Sequence, residues 1–424
     1  MISKVTVSLD DVKQKVNNRQ VYIWGARHDG IGIYCALKRN DIPVEGFLDN
    51  NDMLDGKKVL GLTIQTPGSF FQNQQSQIPP FIFVASSYFA DEIVEECQSY
   101  GLKHKKDYLT TQEIQNINYQ IDHSGACNLR CISCARGNYP HHPPVGFTSA
   151  VTYEKVIKKI LREDPFTGVL RLYDWGEPLL NPALPEIIRI TNEHEVLSII
   201  SSNLCINKNL EETIKSRPTW FRVSISGWGK DYEITHTGGK WDNLYQNMYQ
   251  LSALRNRYHP EMEVEVFFHI YNHNQTDFDR IREFCEMLNF IPRYTHAYLF
   301  PMDNVEAVID GKSLNPAINR TRELMLLSVE EAMEYAQQQK DRICYFERFL
   351  RITWDLKMTT CINWYNPDLL LLEKDFLSAD IDEIVTARNR CALCVRCKSK
   401  SLHRYCNVYG DQKLVLSKES IKFK

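Results

Sequence analysis

The chain has 424 residues, of which 43% are hydrophobic and 24% are charged, and its formal net charge is −3 at pH 7. A chain of this length can form two or three domains, each with its own core. The small negative charge gives no electrostatic footprint for nucleic acid or an anionic membrane surface. No apolar stretch approaches the roughly 18 residues that span a bilayer, and the first residues lack a signal-peptide segment. We therefore expect a globular, cytoplasmic protein.

The first hundred or so residues predict a parallel α/β unit. An apolar strand at 20–24 leads into a glycine turn at 25–32, and the apolar positions that follow have helical spacing. Further strands are predicted at 44–49 and 79–85, with a helix at 91–97. Strands and helices that alternate in this way form a Rossmann-like parallel sheet. We assign this domain to residues 1–112.

The glycine turn and an acid at the end of the second strand are the candidate binding residues of this domain. Asp49 follows the turn by about twenty residues, as does the acid that contacts a ribose hydroxyl in a Rossmann unit. Arg27, however, replaces the second glycine of the dinucleotide fingerprint, which argues against NAD. Gly25, Arg27 and the amides around Gly30 could instead meet a diphosphate.

Segment 18–110 resembles the Rossmann-like domains attached to bacterial sugar-modifying enzymes. The resemblance lies in the runs Trp24-Gly25-Ala26, Gly46-Phe47-Leu48-Asp49-Asn50 and Val84-Ala85-Ser86-Ser87-Tyr88. Such domains can hold a nucleotide sugar, so the resemblance implies a site for a nucleotide or a nucleotide sugar. The alternative is a domain that binds nothing and serves for assembly.

Residues 118 to about 310 predict a parallel barrel or partial barrel. Strands are expected at 118–122, 168–174, 196–201, 221–225 and 264–269, and helical segments separate them. Each strand ends in polar residues or glycine. In parallel barrels the site is built on the loops at the carboxyl ends of the strands, so we expect the chemistry there.

Thirteen cysteines are many for a reducing compartment, where disulfides rarely persist, and nine of them fall in two groups. In the first group, Cys127, Cys131 and Cys134 are spaced C-x3-C-x2-C on the loop after the strand at 118–122. Three thiolates can hold three irons of a 4Fe–4S cluster and leave the fourth iron open for substrate or cofactor. The alternatives are a structural zinc knuckle or three buried thiols.

This arrangement resembles the radical S-adenosylmethionine (SAM) superfamily. The resemblance implies an open six-unit (β/α) barrel, here residues 113–330, in which SAM chelates the open iron. An electron from the cluster then cleaves SAM to a 5'-deoxyadenosyl radical. The resemblance also implies an electron donor such as flavodoxin or ferredoxin. A non-enzymatic iron–sulfur or zinc scaffold would not need an open iron.

Further residues of the chain resemble motifs of the same family. The run Trp175-Gly176-Glu177 resembles the Gly-Gly-Glu stretch that binds the amino group of SAM, with Trp175 in place of the first glycine. Four polar residues, after the third strand and on the fourth, occupy places of ribose and carboxylate contacts: Ser202, Asn203, Ser224 and Ser226. Isolated polar residues of this kind also serve as helix caps or turn formers.

The second cysteine group lies in a small carboxyl-terminal extension, residues 331–424. Cys344 and Cys361 flank a predicted strand at 349–354, and the later cysteines are Cys391, Cys394, Cys397 and Cys406. The pattern resembles the SPASM and shorter twitch extensions, which carry auxiliary clusters. It implies one auxiliary 4Fe–4S cluster on Cys344, Cys361 and a C-x2-C pair, either 391/394 or 394/397. A zinc ribbon is the alternative.

Together these resemblances predict hydrogen abstraction from a sugar-like, perhaps nucleotide-linked, small molecule. An auxiliary cluster that accepts an electron favours oxidation of an alcohol carbon to a carbonyl. Epimerisation or dehydration of a similar substrate is the nearest alternative. Peptide or protein modification is another, since SPASM enzymes often mature peptides, although nothing in residues 1–110 predicts a leader-binding winged helix.

One further cysteine and several polar residues are candidates for catalysis. Cys205 follows the third barrel strand, and a thiol there could return a hydrogen atom to a substrate radical. Its alternative is a buried small hydrophobe. Acid, base or hydrogen-donor candidates lie on or near predicted strand ends: His123, His141, His142, Tyr173, Asp174, Trp228, Tyr232, His236 and His269.

Overall fold

The computed structural model describes residues 7–73, 78–86, 89–138, 145–365 and 370–410. Ser87, Tyr88, His141 and His142 lie outside these ranges. The described chain forms two sheets that are mainly parallel and are covered by helices, which confirms the predicted α/β class. No helix in the described ranges is long and apolar enough to cross a membrane.

The amino-terminal sheet has six strands in the order β3-β4-β2-β1-β5-β6. β1 pairs in parallel with both β2 and β5 along a buried apolar centre, as the Rossmann-like prediction requires. Three of the strands, at 58–59, 62–65 and 108–110, were not predicted from the sequence. The strands are β1 (Val21–Trp24), β2 (Gly46–Leu48), β3 (Lys58–Val59), β4 (Leu62–Gln65), β5 (Phe81–Val84) and β6 (Tyr108–Thr110).

Five helices belong to this sheet. The first begins with a capping box, in which Ser8 and Asp11 exchange side-chain and backbone hydrogen bonds. The second follows the glycine turn directly and carries the predicted apolar stripe. The helices are α1 (Leu9–Val16), α2 (His28–Arg39), α3 (Pro67–Gln72), α4 (Ala90–Ser99) and α5 (Thr111–Ile114).

The second sheet contains six consecutive parallel strands, which form the predicted partial barrel. Five were predicted, and β12 was not, because it is a half-exposed, polar strand that contains a proline. The strands are β7 (Asn118–Asp122), β8 (Val169–Arg171), β9 (Leu197–Ser202), β10 (Trp220–Ile225), β11 (Glu263–Ile270) and β12 (Ile291–His296).

The helices between and after these strands bury their apolar faces against the sheet. On α7, for example, Tyr153, Ile157 and Ile160 are all fully buried. The helices are α6 (Ala135–Asn138), α7 (Ala150–Glu163), α8 (Leu184–Glu193), α9 (Leu210–Lys215), α10 (Lys230–Thr235), α11 (Trp241–Tyr258), α12 (Asp277–Leu288), α13 (Met302–Ile309), α14 (Pro316–Leu324) and α15 (Val329–Gln338). The domain boundary predicted at residue 330 falls within α15.

The carboxyl-terminal extension continues the barrel sheet. β13 (Phe349–Thr353) pairs in parallel with β7, and β14 (Met358–Thr359) pairs antiparallel to β13. β13 is buried on both faces, which suits a strand in the middle of a parallel sheet. Three helices follow: α16 (Ile381–Asn389), α17 (Ala392–Ser399) and α18 (Leu402–Gly410).

The amino-terminal domain packs against the amino ends of the barrel strands through α2. Gly168, just before β8, lies so close to Gly32 that a Cβ on it would overlap the Gly32 carbonyl. The His28 ring stacks on Trp220 at the start of β10, with ring centroids 3.1 Å apart. Arg39 donates to the carbonyls of Pro165 and Thr167. These contacts turn the carboxyl edge of the first sheet toward the barrel.

Candidate active site

The three cysteines of the predicted cluster motif lie together on the loop between β7 and α6. Cys131 is within electrostatic range of both Cys127 and Cys134. Two loop amides, those of Arg130 and Ile132, donate to the carbonyls of Thr237 and Thr235, at the carboxyl end of α10, and so fix the loop. Burial raises the pKa of all three thiols, that of Cys127 to about 12. Without a bound cation, this site therefore favours neutral thiols.

The surroundings of these thiols fit an anionic cluster. The amide of Leu129 donates to Cys127 Sγ at 3.4 Å, and the amides of Arg136 and Gly137 point at the sulfur of Cys134. The buried Arg136 guanidinium lies beside Cys127 and Cys134, and its Nε has no partner among the described residues. No three His, Cys, Asp or Glu side chains of the described ranges converge on one point, as a single metal ion requires. In a cluster each thiolate binds a different iron.

The segment Trp175-Gly176-Glu177 packs directly under the cysteine loop. The Gly176 amide donates to Asp122 Oδ1 at 3.2 Å, and the Glu177 amide donates to the Ala126 carbonyl at 2.7 Å. A Cβ on Gly176 would overlap the Ser124 carbonyl, so only glycine fits this position. The backbone of this segment thus supports the loop from β7, which places it beside the predicted SAM site.

The Glu177 carboxylate is occupied by protein donors. It accepts hydrogen bonds from the Ser202 hydroxyl at 2.7 Å and from the amides of Asn203 and Leu179 at 2.9 and 3.0 Å. Burial raises its pKa to about 6, and these donors partly offset that shift. Glu177 therefore ties the loop after β8 to the loop after β9.

The other predicted cofactor contacts have mixed surroundings. Ser202 and Asn203 accept hydrogen bonds from the amides two residues ahead, which are turn-forming contacts, and Asn203 also donates to Asn128. Ser226 contacts the buried side chains of Thr235 and His236. Ser224 lines a large cavity. A role of these residues in binding SAM remains a prediction.

A cavity of about 960 Å³ joins the two sheets. At one end it is lined by the carboxyl edge of the amino-terminal sheet and at the other by residues that follow the ends of β8 and β12. Side chains of the barrel interior line the middle. The lining includes Gly25, Arg27 and Asp49 at the first end, Arg171, Ser201 and Arg222 in the middle, and Asp174, Trp175 and Phe300 at the second end.

The second end of the cavity touches the cysteine loop. Trp175 stacks on Phe300 with ring centroids 4.8 Å apart, and it meets Tyr365 edge-on at 5.1 Å. These rings form one apolar cluster with Ala135 and Cys134. These three rings therefore form an aromatic wall, which contacts the cysteine loop and closes this end of the cavity.

The first end of the cavity is the predicted glycine turn. Gly25 has a φ of +117°, and a Cβ on it would overlap the Ala85 carbonyl. Gly30 is buried and packs against the Gly25 carbonyl. Asp49 accepts from the amides of Ala26 and Asn51, at 2.9 and 3.0 Å, so its carboxylate shapes the turn. Arg27 is exposed at the cavity mouth.

A buried charge network lies near the second end of the cavity. Arg351, from β13, pairs with Asp174 at 3.0 Å, and Gln120 donates to the same carboxylate at 2.6 Å. Burial raises the pKa of Asp174 to about 7 against the opposing effect of Arg351, and the pKa of Asp122 is raised by burial too. Arg351 was not predicted, although an arginine inside an apolar strand was a signal for it.

A second arginine occupies the middle of the cavity. Arg222, on β10, lies between the rings of Tyr173 and Phe267, with its guanidinium carbon 5.0 Å from each centroid. Its Nε donates to the Ser201 hydroxyl at 3.1 Å. Cationic and planar, this held guanidinium suits an anionic ligand group. Its alternate-residue position on β10, pointing inward with Ser224, was the available signal.

The acid and base candidates divide between the cavity and the core. Tyr173, Asp174 and His269 line the cavity, and burial lowers the pKa of His269 to about 4. His123 and His236 are buried, and burial lowers their pKa values to about 4 and about 3. The remaining two candidates are in aromatic packing: Trp228 and Tyr232.

Cys205 is in the barrel core. It is 8% exposed, and its sulfur lies 2.9 Å from the Tyr232 hydroxyl. It lies near Cys131 but is not among the described residues that line the cavity. This placement resembles that of a buried small hydrophobe, and its role as hydrogen donor remains a prediction.

The carboxyl-terminal cysteines also lie in one region. Arg388, on α16, is within electrostatic range of Cys344, Cys361, Cys391 and Cys394. Cys397 and Cys406 lie near Cys344 and Cys361. Cys406 was outside the ligand set that the resemblance implied, because spacing alone did not connect it to the others.

Comparisons with known proteins found no matching family, but they found several solved structures that are similar to this chain. No family model and no curated protein matches the chain. One similar structure is anSMEcpe with bound AdoMet, at 14% identity and a TM-score of 0.44, covering 68% of this chain and 88% of that one. Another is Streptococcus suis SuiB bound to S-adenosylmethionine, at 13% and 0.46, covering 74% and 79%. A third is BtrN in complex with AdoMet and 2-DOIA, at 15% and 0.39, covering 66% and 89%. These values support no conclusion about activity.

Proposed function

We propose that the protein is a radical SAM enzyme that oxidises an alcohol carbon of a sugar-like, nucleotide-linked substrate. The observation that carries the proposal is the single cavity with the cysteine loop at one end and the glycine turn at the other. A 4Fe–4S cluster on Cys127, Cys131 and Cys134, with SAM on its open iron, would supply the 5'-deoxyadenosyl radical. We further propose a flavodoxin or ferredoxin as electron donor, and a cytoplasmic location.

The chain's own residues prepare the cluster end. Amide donors to the sulfurs favour the thiolate form, and the Arg136 guanidinium offsets the negative charge of the site. Gly176 and Glu177 hold the loops from β7, β8 and β9 together. The rings of Trp175, Phe300 and Tyr365 exclude water from the end of the cavity, which protects a reactive radical from side reactions.

The size and charge of the cavity favour a substrate with two parts. Its volume of about 960 Å³ is near the upper end of the range of ligand sites, roughly 300 to 1,000 Å³. A free sugar would leave most of it empty. Arg27 at the turn and Arg171 and Arg222 in the barrel give cationic groups along its length, which suit a diphosphate between a nucleoside and a sugar.

Oxidation requires one hydrogen atom, one proton and one electron to leave the alcohol. With SAM and both clusters bound, these cofactors would remove the hydrogen atom from carbon and the electron, and the cysteines of the carboxyl-terminal extension would hold the auxiliary cluster. We assign the hydroxyl proton to Asp174, which lines the cavity beside Trp175. Its pKa, which burial raises to about 7, suits a general base at neutral pH.

The proposal is tested with anaerobically reconstituted enzyme, SAM, a reductant and a panel of nucleotide sugars, free sugars and peptides. We expect 5'-deoxyadenosine to form only with a nucleotide sugar, together with a product two hydrogens lighter than the substrate. A product of unchanged mass that carries one deuterium from heavy water would establish epimerisation instead. Turnover of peptides alone would replace the sugar assignment with peptide modification.

A further inference from the structure

The interior of the barrel is polar, although parallel barrels are usually filled with layers of branched apolar side chains. Charged side chains buried away from water are costly unless they are paired, so a charged interior points to a polar ligand. Alternate residues of three neighbouring strands line the cavity here: Ile199 and Ser201 of β9, Trp220, Arg222 and Ser224 of β10, and Glu265, Phe267 and His269 of β11.

One layer of this interior consists of a serine, an arginine and a glutamate. Arg222 is the direct cross-strand partner of Ser201 on β9 and of Glu265 on β11. All three side chains line the cavity, so they point toward the barrel axis. Glu265 lies within electrostatic range of Arg222, but its ion-pair contact is with Arg293 of β12, at 3.8 Å. Among the described residues, Arg222 has no carboxylate partner at ion-pair distance.

The guanidinium of Arg222 is held in place, and its outer nitrogens remain available. The rings of Tyr173 and Phe267 enclose it, with each centroid 5.0 Å from the guanidinium carbon. Its Nε donates to the Ser201 hydroxyl at 3.1 Å, and its two terminal nitrogens have no hydrogen-bond partner in the described ranges. A fixed, planar fork of N–H groups matches the oxygens of a phosphate or a carboxylate.

A second arginine of the barrel interior lies closer to the amino-terminal domain. Arg171 of β8 lines the cavity, and its guanidinium carbon is 5.0 Å from the centroid of the Phe349 ring. Its partner on β9 is Ile199, one layer closer to the amino ends of the strands than Arg222. Arg171 also lies within electrostatic range of His28, at the start of α2. Two arginines, each stacked on a ring, thus lead from the amino-terminal domain into the barrel.

The glycines of the predicted turn serve close contacts of the chain itself. A Cβ on Gly25 would overlap the Ala85 carbonyl, and a Cβ on Gly30 would overlap the Gly25 carbonyl. Arg27, at the cavity mouth, is the cation that the turn offers to a ligand. The other cations that line the cavity are inside the barrel, so a diphosphate that meets more than one of them must enter it.

We propose that Arg222 binds a phosphate of the nucleotide-linked substrate inside the barrel, and that Arg171 lies beside the passage that leads to it. This inference rests on the proposed function and fixes how the substrate lies. The nucleoside stays at the amino-terminal domain, the diphosphate crosses the charged layer, and the sugar reaches the cysteine loop from the amino side of the barrel. A phosphate suits this layer better than a carboxylate, because it has more acceptor oxygens for the available N–H groups.

Glu265 has a defined part in this arrangement. Its carboxylate is the cross-strand neighbour of Arg222, so it repels a phosphate bound there and limits the affinity. Removal of this negative charge should therefore strengthen phosphate binding, whereas removal of the Arg222 charge should weaken it. A layer with a purely structural role would be disturbed by either change, and it would not give effects of opposite sign.

The test measures the binding of inorganic pyrophosphate to the anaerobically reconstituted holoenzyme by isothermal titration calorimetry, without SAM or reductant, and the iron content is checked before and after. Arg222→Gln should raise the Kd at least about tenfold, and Glu265→Gln should lower it at least about threefold. Arg255→Gln is the matched control and should leave the Kd unchanged. That arginine of α11 is 4% exposed and stacks on Phe290, away from the cavity lining.

The Glu265→Gln arm decides the matter even if Arg222→Gln does not fold, because a gain of affinity cannot come from unfolding. The site is overturned if pyrophosphate does not bind the unchanged protein, if it binds Arg222→Gln equally well, or if Glu265→Gln binds it no better. None of these readouts uses SAM cleavage. Substrate-dependent 5'-deoxyadenosine without pyrophosphate binding would therefore remove only the phosphate site and leave the radical SAM proposal standing.

Discussion

Gly176 shows how a single missing Cβ can shape the candidate active site. Its backbone lies between the Ser124 carbonyl and the Asp122 carboxylate, directly beneath the cysteine loop. A methyl group there would meet backbone, which cannot move aside as a flexible side chain can. The three thiols of the cysteine loop and the thiol of Cys205 can likewise each be tested by one substitution.

For Gly176→Ala we expect a loss of unfolding free energy of about 1–3 kcal/mol, the usual cost of overpacking. Urea denaturation measures it. Gly68→Ala is the matched control, because a Cβ on Gly68 meets nothing within 4 Å and that residue lies in α3. Equal stability of the two variants would show that the Ser124 contact is not tight.

For Cys127→Ala, Cys131→Ala or Cys134→Ala we expect SAM cleavage to stop while the fold is kept. Each thiol holds a different iron, so one loss leaves a cluster that cannot persist, and iron should fall by about four per chain. The readouts are 5'-deoxyadenosine and iron. Cys35→Ala, in α2 and far from the loop, is the control. Undiminished SAM cleavage in a loop variant would refute the radical SAM proposal.

For Cys205→Ala we expect product formation to continue, because this thiol is held against Tyr232 in the core and an oxidation needs no hydrogen donor. Mass spectrometry of the product should show a loss of two hydrogens. If the product instead keeps the substrate's mass, takes up solvent deuterium and vanishes in Cys205→Ala, the thiol is the donor and the reaction is an epimerisation.

At the scale of elements, β13 places a charged residue, Arg351, inside the barrel. The strand pairs with β7 and places Arg351 against Asp174, on β8's carboxyl side. The pKa of Asp174 is raised by burial and is held down by this arginine. As the base of the proposed reaction, Asp174 must be ionised, so activity should rise as the pH increases through about 7.

For Arg351→Met we expect the midpoint of this pH profile to move to higher pH, because the cation that favours the carboxylate is gone. Breaking a buried ion pair should also cost about 3–5 kcal/mol of unfolding free energy. The pH dependence of kcat and a denaturation curve measure the two effects. Arg282→Gln, on the exposed face of α12, is the control and should change neither. An unmoved midpoint would remove Asp174 from the proposed mechanism.

The elements also show what the sequence could and could not predict. The apolar runs of β7, β9, β10 and β11 were found because parallel strands are buried on both faces. β12 was not predicted, because its half-exposed edge position tolerates polar residues and a proline. The strand at 349–354 was expected, but an apolar run does not say which strand it will pair with. The thiols of Cys391, Cys394 and Cys397 could not be distinguished, because only tertiary packing fixes the phase of α17.

At the scale of the whole molecule, the two sheets cooperate through one cavity. The cavity could not be predicted from the sequence, because it arises from the docking of α2 on the amino ends of the barrel strands. If a nucleotide-linked substrate lies along this cavity, changes at its two ends should have different kinetic effects. The first end should control affinity, and the second should control chemistry.

For Arg27→Gln we expect KM for a nucleotide sugar to rise about tenfold, the effect of losing roughly 1.4 kcal/mol of charge-assisted binding. The value of kcat and the iron content should not change, because Arg27 is exposed and remote from the cysteine loop. Lys13→Gln, in α1, is the charge-matched control. If KM is unchanged, the amino-terminal domain does not hold the substrate and serves for assembly.

The pairing of β13 with β7 also has a consequence for the order in which the chain folds during synthesis. Residues 118–122 leave the ribosome long before their partner at 349–353, so one edge of the nascent barrel stays unpaired during most of translation. Over the same interval Asp174 lacks Arg351, its ion-pair partner. Iron that bound to the cysteine loop before that time would enter a site whose aromatic wall is still incomplete. Cofactor insertion should therefore follow completion of the chain.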